Sequence, residues 1–309
     1  STHTIYLTKK NSINGRMYSM IKIKNGAKYL VTGGSGFLGG ALIDRILDQG
    51  GLVVTIARNE GNLIKLKQRY HNNGLAVQIY SGDIADHFAV ESCMKDIKGI
   101  FHLAAFKHVT MAETQAKQCT AGNVVGSMNV LDLAAKYGVD FVLGISTDKA
   151  AQIAGVYGAS KYIMEKIFEE YQVTHPDTLF RIVRYGNVLY STGSVLCKWR
   201  DLLEAGQEVV VTDPTATRYF WTIDQAVDLI FQCMEEAVDA KPFVPEMKSM
   251  SIENLLQAMA NKYLPDGEEL KIKTIGLQVG ENQHEKILED GYYSNEVEQF
   301  TVEEIQELI

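Results

Sequence analysis

The chain has 309 residues, 30 basic against 38 acidic side chains, a formal net charge of −8, and hydrophobic and charged fractions of 46% and 22%. At roughly 150 residues per domain, that length serves one large domain or two coupled ones, and the mix is that of an ordinary globular protein. Disordered, collagen-like and coiled-coil chains are excluded, and the acidic balance argues against nucleic acid or an anionic membrane as partner.

Residues 1–26 carry little periodicity and close on the turn signal Asn25-Gly26; they read as an N-terminal extension. Short apolar strands are expected at Lys28–Thr32, Leu52–Ala57, Val77–Tyr80, Ile100–Ala104, Phe141–Ile145 and Leu179–Arg184, with helical stretches between them. Such strands lack polar alternation, which predicts a parallel sheet covered on both faces. Right-handed crossovers then make the fold class α/β, a doubly wound Rossmann-type sheet. Residues 27–186 are expected to form this dinucleotide-binding domain. From 187 to 309 the rhythm shifts to turns, shorter strands and helices such as Asp224–Met234 and Ile252–Tyr263. A smaller substrate-binding lobe over the sheet's carboxyl edge is expected there, with some segments free to return to the Rossmann domain. Glu281 to Glu307 holds nine acidic residues against Lys286 alone and reads as a solvated acidic helix.

Cys93, Cys119, Cys197 and Cys233 stand far apart, which fits buried reduced thiols better than disulfides or zinc. His102 and His108 lack zinc-ligand spacing, so no metal is expected, and His102 reads as a packed strand-end residue. No apolar run nears about 18 residues. Lys9, Lys10, Lys22 and Lys24 break up a polar start unlike a secretory signal, so a cytoplasmic location is expected.

Gly33-Gly34-Ser35-Gly36-Phe37-Leu38-Gly39 falls between the first strand and the first helix. Gly33 permits the tight turn, Gly36 lets amides approach a pyrophosphate, and Gly39 allows close helix–strand packing. The helix start adds partial positive charge. Arg58 stands near the end of the second strand, where a guanidinium can pair with a ribose 2′-phosphate through two parallel hydrogen bonds. NADP is therefore the expected cofactor; a plain surface arginine is the alternative, and Glu60 nearby keeps NAD open. Asp83, in Ser81-Gly82-Asp83-Ile84, reads equally as an acceptor for the adenine amino group or as a turn aspartate.

Tyr157 and Lys161 lie four apart at the start of a periodic helix, so both project from one face. Ile163, Ile167 and Phe168 are expected to face the core, and Glu165, Lys166, Glu169 and Glu170 the solvent. An ammonium about 4 Å from the phenol contributes roughly 4 kcal/mol at an effective dielectric of about 20. That predicts a phenol pKa below its ordinary value of about 10. Such a group can take a proton from a sugar hydroxyl as hydride leaves for a nicotinamide.

Thr32–Gly39, Asn123 and Tyr157-Gly158-Ala159-Ser160-Lys161 resemble the extended short-chain dehydrogenase/reductases. Within them, five further segments carry a narrower likeness: Phe101–Val109, Ser146-Thr147-Asp148-Lys149-Ala150, Arg184–Val188, Thr217–Phe220 and Gly280–Glu285. From about residue 28 to about 287 the chain resembles the inverting UDP-N-acetylglucosamine 4,6-dehydratases. That resemblance implies a homo-oligomer acting on a UDP-sugar. Gly33, Ser35, Gly36, Phe37, Leu38, Gly39, Arg58, Asp83, Ile84, Ala104, Lys107, Tyr157 and Lys161 would surround NADP. Lys107, Asn187, Arg218 and Glu281 would hold the substrate. After oxidation at carbon 4, Lys149 would be the base at carbon 5, Asp148 the acid on the 6-hydroxyl, and Thr147 a hydrogen-bond partner of the 4-hydroxyl. Hydride would return to carbon 6, and Lys149 would reprotonate carbon 5 from the opposite face.

These roles require a neutral lysine and a protonated aspartate, the reverse of their ordinary charges at neutral pH. A low-dielectric pocket in which Asp148 holds the proton that Lys149 lacks would poise both. The chain departs from the family at Gln152-Ile153-Ala154-Gly155, where Asn-Pro-x-Asn is usual, at Gln278 in place of arginine, and at Gly122 in place of threonine. Retaining, membrane-attached relatives usually carry methionine at the position of Tyr157. Two rival readings remain: a UDP-sugar 4-epimerase, and a non-catalytic NADP-binding Rossmann protein, which would have no need of the Tyr157/Lys161 pair.

Overall fold

A computed structural model describes residues 20–71, 77–191 and 194–309; most of the N-terminal extension lies outside them. The first half alternates β1 (Lys28–Thr32), α1 (Phe37–Asp48), β2 (Leu52–Ala57), α2 (Glu60–His71), β3 (Val77–Ser81), α3 (His87–Glu91) and β4 (Ile97–His102). It continues through α4 (Val109–Thr114), α5 (Ala116–Thr120), a π-helical turn Ala121–Val125, α6 (Gly126–Tyr137), β5 (Phe141–Thr147), a 3-10 turn Asp148–Ala150, α7 (Val156–Thr174) and β6 (Leu179–Tyr185). Then follow β7 (Asn187–Val188), α8 (Val195–Glu204), β8 (Val209–Val211), β9 (Thr217–Arg218), β10 (Phe220–Trp221), α9 (Ile223–Glu236) and β11 (Pro242–Phe243). The last elements are β12 (Met250–Ser251), α10 (Ile252–Tyr263), β13 (Ile272–Thr274) and α11 (Val302–Leu308).

The main sheet runs β11-β6-β5-β4-β1-β2-β3, and every pair in it is parallel. One face is covered by Leu42, Ile43 and Ile46 of α1, Tyr70 of α2, and Leu229 and Ile230 of α9. The other is covered by Val130, Leu131 and Leu133 of α6, and Met164 and Phe168 of α7. Continuous burial along β1, β4 and β5 accounts for their unbroken apolar sequence. A separate apolar cluster, with Trp199 and Leu203 of α8, Leu256 and Met259 of α10, and Ile305 of α11, forms the core of the second lobe. The chain crosses back between them: α9 and β11 complete the first sheet although they follow β10 in sequence.

The strands agree closely with the sequence pattern, and the exceptions have local causes. β4 begins three residues earlier than expected and stops at His102. Beyond it the Leu103 amide is shared between the Thr32 carbonyl at 3.2 Å and its hydroxyl at 3.0 Å, and the Ala104 amide donates to the hydroxyl alone at 3.1 Å. In α7 the expected faces are partly reversed: Ile163 is exposed, while Glu165 is buried. Glu165 is drawn inward by Arg184, whose Nε and Nη2 donate to its two oxygens at 2.8 and 2.7 Å. The acidic C-terminal run is not one solvated helix either. Helix forms only over Val302–Leu308, and Glu285 and Glu289 instead meet Lys149 and Arg184.

Candidate active site

β1 delivers Gly33 at the carboxyl edge of the sheet with φ of +71°, in the left-handed region that glycine adopts freely. A Cβ there would come within 2.9 Å of the Ala104 backbone, so the loop lies flat against the end of β4. A Cβ on Gly39 would come within 2.6 Å of Gly34, which is the close packing read from the motif. α1 starts at Phe37 behind Gly36 and leaves its first amides without intrahelical partners. Above this loop opens a cavity of about 600 Å³, lined by Gly33, Ser35, Gly36, Arg58, Asp83, Ile84, Ala104 and Lys107 among others. Glycine amides and a helix start at its floor, with a guanidinium on its wall, suit a dinucleotide's phosphates. Arg58 lines this cavity, whereas Glu60 does not and instead accepts from the Ser81 hydroxyl at 3.4 Å. Asp83 turns one oxygen to the Ala85 amide at 2.9 Å, an ordinary turn contact, while still facing the cavity.

A second cavity of about 440 Å³ is lined by Phe37, Leu38, Lys107, Thr147, Tyr157, Lys161 and Asn187 among others. Lys107 stands between the two cavities, with its side chain still reaching solvent. Asn123 fixes this wall: it accepts from the Phe106 amide at 2.8 Å and donates to the Ser160 hydroxyl at 3.0 Å. It sits in the π-helical turn between α5 and α6. His102 is fully packed, bonded to Thr32 at 2.8 Å and Ser127 at 2.9 Å, and burial lowers its pKa to about 3. It is the packed strand-end residue expected.

Tyr157 and Lys161 face the second cavity together, but their charges differ from the sequence expectation. Burial, with Asp148 next, raises the Tyr157 phenol above its ordinary value, and Thr147 only partly opposes this. Lys161 donates to the Ile145 carbonyl at 2.6 Å, and burial, with Lys107 next, lowers it to about 7. The ammonium expected to depress the phenol is thus itself desolvated.

The 3-10 turn after β5 carries Asp148 and Lys149. Thr147 caps it, accepting from the Lys149 amide at 3.2 Å and donating to Asp148 Oδ1 at 3.1 Å. α7 lies against this turn at Gly158, where a Cβ would meet the Lys149 carbonyl carbon at 3.1 Å. Asp148 is 2% exposed, and its Oδ2 has no hydrogen-bond partner among the described residues. Lys149 Nζ lies 3.5 Å from Asp148 Oδ1 but hydrogen-bonds Glu285, a fully buried residue of the second lobe. Lys149 therefore stands between two carboxylates: Asp148, the proton-sharing partner expected from sequence, at ion-pair distance, and Glu285 in direct hydrogen-bond contact. The Gly280–Glu285 segment carries no local signal for this contact, because 136 residues separate Glu285 from Lys149.

Of the substrate-binding quartet, Lys107 and Asn187 line the second cavity. Arg218 sits beyond it, with Nη1 bonded to the Thr217 and Gln283 carbonyls at 2.8 and 2.9 Å and Nε 3.9 Å from Glu285. Glu281 accepts from the Gln278 amide at 2.9 Å within its own turn. Where the family carries Asn-Pro-x-Asn, Gln152 reaches Tyr293 at 3.4 Å, and its carbonyl oxygen is buried without a partner among the described residues.

Residues 29–306 match the family model described as polysaccharide biosynthesis protein. An inverting UDP-N-acetylglucosamine 4,6-dehydratase of Campylobacter jejuni is 30% identical over 283 residues, covering 89% of this chain and 82% of the relative. A UDP-glucose 4-epimerase of Rickettsia akari is 29% identical, covering 84% and 76%. Among solved structures, Pen from Bacillus thuringiensis superposes with a TM-score of 0.87 at 26% identity, over 92% of this chain and 97% of that one. No helix among the described residues is long and apolar enough to cross a membrane.

Proposed function

The chain belongs to the polysaccharide biosynthesis protein family, and on that footing we propose that it is an NADP-dependent 4,6-dehydratase with 5-epimerisation, acting on UDP-N-acetylglucosamine. The observation that carries the reading is the buried Asp148-Lys149 turn beside Tyr157. A 4-epimerase uses the tyrosine and the cofactor, but it has no work for an acid–base pair aimed at carbons 5 and 6. A dinucleotide held by the Gly33–Gly39 loop, Arg58 and Lys107 would supply the hydride acceptor for carbon 4 and the donor for carbon 6.

Arg58 at the cavity wall, with Glu60 turned away to Ser81, supports NADP over NAD. Tyr157 accepts the 4-hydroxyl proton, with Thr147 bonded to the same hydroxyl. Phosphates brought by the ligands neutralise Lys107, the second cause of the low Lys161 pKa. Burial, the larger cause, remains, but removing that opposing charge favours the Lys161 ammonium, which in turn favours the phenolate. Lys149 removes the carbon 5 proton, made acidic by the neighbouring ketone, and Asp148 Oδ2, otherwise unpartnered, protonates the departing 6-hydroxyl. Asn187, Arg218 and Glu281 hold the nucleotide part of the UDP-sugar. A cytoplasmic homo-oligomer, with residues 27–186 as the main cofactor domain and 187–309 as the main substrate lobe, belongs to the same reading.

Incubation with UDP-N-acetylglucosamine and NADP should yield a product lighter by one water in mass spectrometry. A sugar nucleotide of unchanged mass would remove the dehydratase reading, and inversion at carbon 4 alone would establish the epimerase. Cofactor binding without any turnover would leave the non-catalytic protein.

A further inference from the structure

To act as a base, Lys149 must first lose a proton, and the proton needs somewhere to go. Asp148 Oδ1 is 3.5 Å from Nζ, outside good hydrogen-bonding distance, and already accepts from Thr147. Glu285 is in direct hydrogen-bond contact with Nζ. Its backbone is fixed by Ser294, whose hydroxyl accepts from the Glu285 amide at 2.9 Å and whose own amide donates to the Glu285 carbonyl at 2.8 Å. Arg218 Nε is 3.9 Å from Oε1, too far to hydrogen-bond it, and Asn282 reaches Oε2 only at 3.4 Å. Beyond Lys149, the charged form of this carboxylate is favoured among the described residues by Arg218 at ion-pair distance and by that long Asn282 contact.

We infer that Glu285 is the proton partner of Lys149, taking a proton from its ammonium so that the free amine serves as base while Asp148 keeps its own proton for the 6-hydroxyl. The inference rests on the dehydratase reading. An Nζ–H bond breaks, an Oε1–H bond forms, and nitrogen keeps the electron pair with which it takes the carbon 5 proton; one of the three protons then on nitrogen, two of them exchanged from solvent, later returns to carbon 5. No further reactant is needed, and the proton stays on Glu285 through the cycle. In a site this buried, a neutral amine beside a neutral acid demands less solvation than the ion pair. The groups facing Glu285 are Asp148 and Lys149 from the turn and Arg218 from β9. His284 is bonded to Thr217 at 2.7 Å, and Tyr157 and Tyr219 face Asp148. Burial, with Asp148 next, raises the Glu285 carboxyl above the ordinary range, against the pull of Lys149 and Arg218. Glu285 is a positioning residue, since it acts through Lys149 rather than on the sugar.

The test compares the parent protein with Glu285→Gln and Glu285→Asp. Each is given NADP and UDP-N-acetylglucosamine in deuterated buffer from about pH 6 to about pH 9, and deuterium at carbon 5 is counted per reduced cofactor. The parent, holding the proton internally, should give a flat profile. The glutamine variant must release it to solvent, so exchange should fall about tenfold per pH unit on the acid side; the aspartate variant should restore the flat profile. A flat profile in the glutamine variant overturns the inference. So does a loss in both variants that merely tracks lost cofactor reduction, the mark of a structural role. A parent protein that exchanges no deuterium overturns the dehydratase reading, and this inference with it. Carbon-13 NMR of the ligand-free protein gives a second readout. The Glu285 carboxyl should be protonated over part of the range from about pH 6 to about pH 9, and a Glu285 carboxyl that stays ionised throughout overturns the inference independently of activity.

Discussion

Arg58, Lys161 and Tyr157 each make a separable prediction. Arg58→Ala should weaken NADP binding roughly tenfold to a hundredfold, the value of a charge-assisted hydrogen bond, and leave NAD binding unchanged; fluorescence titration with both nucleotides checks this. Lys161 has its folded pKa lowered to about 7 by burial and Lys107, against about 10.4 in an unfolded chain. The unfolded state therefore binds the extra proton between those values, so stability should rise with pH across that window. Below it the ammonium is charged in both states, and the penalty of burying it is fully present. Urea midpoints of the ligand-free parent and Lys161→Met should converge as pH rises from about 7 to about 10.4; parallel curves would contradict the lowered pKa. Tyr157→Phe should leave bound NADP oxidised when substrate is added, because hydride cannot leave carbon 4 unless its hydroxyl proton does. Glu285 teaches the limit of reading residues from sequence. The Gly280–Glu285 motif was visible, but the contact with Lys149 joins two lobes and depends on the fold.

At the scale of elements, regular pattern was legible wherever one force dominates. β1, β2 and α10 lie at the expected residues because unbroken apolar runs or a clean helical stripe set their burial. The pattern misled where a buried polar contact outweighs it. Glu165 looked like a solvent residue, yet Arg184, 1% exposed, binds it across α7 and β6. Removing one partner of such a buried pair leaves an uncompensated charge. Glu165→Ala should therefore lower unfolding free energy by about 3–5 kcal/mol, read from urea curves. Glu289→Ala removes the half-exposed third member and should change it by less than about 1 kcal/mol. Equal losses in the two variants would contradict the buried pair's role. A propensity reading likewise extends β4 to Ala104, but the strand stops at His102, beyond which the Leu103 and Ala104 amides meet the Thr32 hydroxyl.

For the molecule as a whole, the return of α9 and β11 to the first sheet makes the two lobes interdependent. A fragment ending at residue 186 would expose the apolar face that Ala226, Leu229 and Ile230 cover. It should show no cooperative urea transition by circular dichroism, whereas the full chain should show one. The site itself is assembled across the lobes, Tyr157 and Lys149 from the first and Glu285 from the second. The most direct measurement follows carbon 5 in deuterated water for the parent and for Lys149→Ala, with UDP-N-acetylglucosamine and NADP. The parent should give a product lighter by one water and carrying deuterium at carbon 5, and the lysine variant should form bound NADPH without taking up deuterium. Deuterium entering carbon 5 of the lysine variant at the parent rate would contradict it.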